Sequence, residues 1–77
     1  MIRELDTIVL SHDLNEFGLK RGDVGAVVHC YAGGKAFEVE FVTGEGNTIA
    51  VVTLNRADIR TMQREEILHV RTYAATA

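Results

Sequence analysis

At 77 residues the chain has room for one domain, and a chain this short buries only roughly 60% of the surface its unfolded form exposes. Eight lysines and arginines against eleven aspartates and glutamates leave a net charge of -3, which opposes nonspecific attraction to a phosphate backbone. With Cys30 as the single cysteine an intramolecular disulfide is excluded, and no proline, tryptophan or evident metal helps so small a core.

The run Leu5 to Leu10, rich in β-branched and apolar residues, predicts a first strand that stops at the turn chemistry of Ser11-His12-Asp13. From Ser11 to Asp23 the chain is polar, with Leu14, Phe17 and Leu19 as anchors for a structured loop. Gly22 and Gly25 then bracket Asp23-Val24, where positive φ values would allow a tight entry into a second strand over Val24 to Tyr31. Strict alternation in that strand puts Val24, Ala26, Val28 and Cys30 on one face and Gly25, Val27, His29 and Tyr31 on the other.

Ala32-Gly33-Gly34-Lys35 signals a hairpin, after which Ala36 to Val42 shows the cleanest alternation in the chain. Phe37, Val39 and Phe41 face the core; Glu38 and Glu40 face away. Beyond a second loop at Thr43 to Asn47, the strand Thr48 to Leu54 carries no charge, so both its faces are expected to be covered, one of them by a second subunit. Asn55 to Asp58 reads as a one-turn connector to a short strand Ile59 to Met62. The competing pattern is one helix from about Arg56 to Leu68, capped by Asn55. Strands are favoured. Glu66 to Tyr73 is then an additional C-terminal strand with Leu68 and Val70 inward, and residues 74–77 a frayed end.

The expected fold is all-β, one domain over residues 1–77. Hairpin-connected strands followed by a one-turn connector and a short fifth strand are the order of an SH3-like barrel of about five strands. The segments Leu5-Asp6-Thr7-Ile8-Val9-Leu10, Gly18 to Gly25, Phe37 to Val42 and Glu66 to Arg71 resemble a family of small bacterial proteins of unknown function. That resemblance implies an SH3-like fold in a stand-alone protein, sometimes encoded among mobile or accessory genes, and implies no activity. Gly22-Asp23-Val24-Gly25 also resembles the glycine-bearing segment of KOW nucleic-acid-binding domains, though over four residues only.

No residue pattern argues for catalysis, a cofactor or a metal. His12 and Glu16 have helical ligand spacing in a stretch that is not a helix and lacks a third ligand. Adjacent strand residues point to opposite faces, so His29 does not activate Cys30, and Cys30 is expected in the core. Glu38 and Glu40 could pair as glycosidase-like carboxylates but fit a solvated strand face better. Arg21-Gly22-Asp23, an adhesion tripeptide by spelling, fits a turn.

The function expected is therefore a non-enzymatic interaction module. It self-associates into a dimer or tetramer through Ala50, Val52, Leu54, Leu68, Val70 and Tyr73, and meets another protein or peptide through Phe17, His29 and Tyr31. Nucleic-acid binding by Lys20, Arg21, Arg56, Arg60, Arg64 and Arg71 is the alternative, disfavoured by the net charge. The charged opening Met1 to Asp6 is unlike a secretion signal, and no segment has the length to span a bilayer. A reducing cytoplasm is the expected compartment, with no membrane contact.

Overall fold

The computed structural model describes residues 1–74, so most of the expected frayed end lies outside the described residues. The five strands are β1 (Thr7–Leu10), β2 (Val24–Cys30), β3 (Ala36–Val42), β4 (Thr48–Asn55) and β5 (Ile59–Thr61), with 3-10 turns at Asn15–Phe17 and Ala32–Gly34. They form one antiparallel sheet in the order β4-β3-β2-β1-β5, so the chain is all-β. Residues 56–58 turn directly into β5, which excludes the helical reading of 56–68.

Register follows the apolar alternation of β3. Phe37, Val39 and Phe41 are buried; they lie opposite Leu54, Val52 and Ala50 of β4, while Cys30 and Val27 of β2 face Phe37 and Val39. All five strands contribute to this core, with Ile8 and Leu10 from β1 and Ile59 from β5, and Leu19 seals it from the loop. A one-residue slip would have turned both glutamates inward. Instead Glu38 accepts a hydrogen bond from the Thr53 hydroxyl, and Glu40 accepts one from Thr48 at 2.7 Å.

Two bulges alter the expected faces. One in β2 inserts Val28 between the pairs Val27–Val39 and His29–Glu38, so Val28 and His29 both point outward and Cys30 returns to pack on the core. Strict alternation would have put His29 inside with Val27. The other inserts Ile49 between the pairs Val42–Thr48 and Phe41–Ala50, leaving both Ile49 and Ala50 half-buried against the core. Ala50, Val52 and Leu54 thus share the inner face and do not form the subunit surface expected of them. Their places opposite Phe41, Val39 and Phe37 consume them, and the outer face of β4 offers Val51 and Thr53.

The additional C-terminal strand is absent. After β5 the chain turns at residues 64–65 and runs on without regular structure, and Leu68 and Val70, expected inward, are exposed. The reason is local: the Glu66 carboxylate takes the Gln63 amide at 2.7 Å and the Arg60 guanidinium on both oxygens, steering the chain off the β5 edge.

Candidate interaction site

Residues 66–73 form a strap that is tied down by side chains rather than by a ladder. Among the described residues, no backbone group of 67–73 bonds to another backbone group. At one end Arg60 and Glu66 form a two-pronged pair at 2.7 Å each, and the guanidinium beside it, with the Gln63 amide, holds the Glu66 carboxyl down at about 2. At the other end Arg71 Nε and Nη2 donate to the Asp23 carboxylate at 2.8 and 2.5 Å, and Nη2 also donates to the Gly18 carbonyl at 3.1 Å. Burial alone would raise the Asp23 carboxyl; the Arg71 bonds and the Lys20 amide outweigh it and leave the group below its ordinary value.

Tyr73 completes this end. Its hydroxyl donates to the Phe17 carbonyl at 3.1 Å, and its ring lies over Gly18, where a Cβ would come within 3.2 Å of Cε1. Gly18 closes the 3-10 turn Asn15–Phe17 in the left-handed region at φ 69°, the conformation that glycine adopts without a side-chain clash. One small loop, Phe17 to Asp23, therefore supplies a carbonyl, a bare backbone and a carboxylate to the same two strap residues.

Between the two ties the strap leaves its apolar side chains uncovered. Ile67, Leu68 and Val70 are 90%, 63% and 89% exposed. Leu68, Val70 and Tyr73 line a groove of about 310 Å³ together with Val42 and Ile49 and the buried Leu19 and Phe41. An exposed apolar run held in place at both sides has the composition of a contact surface.

The remaining expected site residues do not join this surface. His29 and Tyr31 stand together on the outer face, rings edge-on at 4.8 Å and 85°, beside Glu38 rather than the strap. The Tyr31 phenol is held above its ordinary range by desolvation and then by the Glu38 charge. The Phe17 side chain packs on the core, so it reaches the site through its carbonyl alone. Cys30 is half-buried, with Sγ 3.9 Å from the Ile2 carbonyl. His12 does not pair with Glu16; its Nε2 meets Asp58 Oδ1 at 2.7 Å and its Nδ1 the Asp13 carbonyl at 3.0 Å, pinning the loop after β1 to the turn before β5. Among the described residues no group of three or more His, Cys, Asp or Glu side chains is set to hold a metal ion, and no helix is long and apolar enough to cross a membrane.

Leu68, Val70 and Tyr73, expected at a subunit interface, lie on this strap, while the pairing of Arg71 with Asp23 and Gly18 and of Arg60 with Glu66 was not legible in the sequence. Partners 48 residues apart leave no local pattern, and Gly18 between Phe17 and Leu19 is the single local cue to the loop. Of the basic residues considered for nucleic acid, Arg60 and Arg71 are engaged in ion pairs.

No curated protein and no solved structure matches the chain. One family profile does, over residues 4–61, which takes in all five strands and leaves the strap outside it. The chain thus belongs to the family described as a domain of unknown function, DUF4926.

Proposed function

We propose that the chain is a non-enzymatic interaction module of the bacterial cytoplasm, an SH3-like barrel that self-associates through its strap face. The strand order β4-β3-β2-β1-β5, with a one-turn connector before a three-residue β5, supports the barrel reading. The observation that carries self-association is the exposure of Ile67, Leu68 and Val70 on a segment fixed on both sides by ion pairs. A floppy tail would expose such residues in passing; a pinned one displays them in a defined geometry. A two-fold dimer is the simplest product and a dimer of dimers the next.

The absence of catalysis is supported by the engagements of the reactive groups. Cys30 contacts the Ile2 carbonyl, His12 pairs with Asp58, and both strand glutamates are occupied by threonine hydroxyls. Nucleic-acid binding, the alternative, has less support, because two arginines are spent in ion pairs on an acidic domain.

Sedimentation velocity across the micromolar range tests the reading. The wild type sediments as a dimer, and Val70→Asp, which places a charge in the apolar strip, returns it to a monomer while the fold persists. A wild-type monomer at tens of micromolar overturns it.

A further inference from the structure

We infer that the strap is exchanged between two copies, so that Arg71 and Tyr73 of each chain dock on the Phe17–Asp23 loop of the other. The inference rests on the self-association reading and names its site. Three observations carry it.

First, the strap is held by side chains alone and lies outside the family's matched residues, so moving it breaks no strand pairing and leaves the five-stranded sheet intact. Second, the docking loop is a made receptor: the Asp23 carboxylate takes two guanidinium nitrogens, the Gly18 carbonyl takes Nη2, the Phe17 carbonyl takes the phenol, and Gly18 lacks the Cβ that would crowd the ring. A receptor that accepts this segment in one chain accepts the same segment from another with the same bonds, which is why exchange of an identical element is a low-cost route to a dimer.

Third, exchange accounts for the uncovered residues. Ile67, Leu68 and Val70 lie between the tie at Glu66 and the tie at Arg71. If the Arg60–Glu66 pair stays formed, the five steps of chain from Glu66 to Arg71 reach about 17 Å when extended. That short reach restricts the second copy to a seat directly against the strap face, where the two straps run past each other on the two-fold axis and cover each other's apolar side chains. Within a single chain those side chains have water on them.

The experiment mixes isotopically labelled and unlabelled wild-type chains, after sedimentation has established the dimer, and records filtered NOEs between Tyr73 ring protons and Gly18 Hα. Exchange gives these NOEs between chains. A dimer showing them only within chains overturns the inference and leaves self-association standing, whereas a wild-type monomer removes both. As a second arm, Arg71→Gln weakens the dimer about tenfold or more by removing a charged bidentate contact, with the melting temperature of the monomer little changed. Dimerisation of Arg71→Gln at wild-type strength also overturns it.

Discussion

Gly25 has no positive φ; what it needs is space. It is buried at the start of β2, and a Cβ there would lie 2.7 Å from Val39 Cγ1, 2.8 Å from Phe41 Cε1 and 3.0 Å from the Glu40 carbonyl. Two core side chains and a neighbouring strand's backbone would have to move. Gly25→Ala therefore destabilises by about 1–3 kcal/mol through overpacking, read as a fall in the urea midpoint. Leu5 presents the opposite case: at φ 72° and 85% exposure it occupies a left-handed position with little packing in return. The turn it stands in, closed by the Arg3 amide on Asp6 Oδ2 at 2.9 Å, is what shortens β1 to Thr7–Leu10. Leu5→Asn, which tolerates that conformation, stabilises by up to about 1 kcal/mol in the same measurement.

At the scale of the element, the strap is an acid-sensitive tie. The carboxyls of Asp23 and Glu66 are both lowered from their ordinary 3.8 and 4.5, Glu66 to about 2. Groups lowered in the folded state contribute stability that is present above their unfolded values and is lost as pH falls through the folded ones. The strap accordingly stays docked at pH 5; as pH falls the Glu66 tie is lost at about 2 and the Asp23 tie below the ordinary carboxylate range, the latter seen as the loss of Tyr73–Gly18 NOEs. The His12–Asp58 tie has a second edge. His12 is raised above 6.5, first by its hydrogen bond to Asp58, and a raised group contributes fully below its unfolded value and loses the contribution as pH rises through the folded one. Its hold on the loop after β1 weakens as pH rises through that raised value, while the strap remains docked.

At the scale of the molecule, ten buried side chains among the described residues form one cluster that carries the fold, and the largest are Phe37 and Phe41. A domain of 77 residues has a stability of roughly 4–12 kcal/mol. Phe41→Ala costs about 3–5 kcal/mol, a large share of that total, and lowers the melting temperature by more than about 10 °C, read by circular dichroism. The same arithmetic separates core from contact surface: Val52→Asp puts a charge among Val39, Phe37 and their neighbours and unfolds the chain, whereas Val70→Asp leaves it folded and monomeric.

The strands were legible because the chain's polarity alternates with the pleat. Phe37-Glu38-Val39-Glu40-Phe41 admits one register, and the glycine-bearing and polar loops on either side of it mark its ends. The sequence likewise determined that β4 carries no charge, that residues 66–73 hold apolar side chains, and that the net charge is -3. The tertiary structure alone decided which face of β4 is inner, because two bulges reset the alternation and a bulge depends on the neighbouring strand. It alone decided, too, that 66–73 is a strap and not a strand. Strand propensity in Ile67-Leu68-His69-Val70 is real, but a strand needs a partner edge, and the Arg60–Glu66 and Arg71–Asp23 pairs, the latter formed across 48 residues, hold the segment in a course without backbone pairing to any strand.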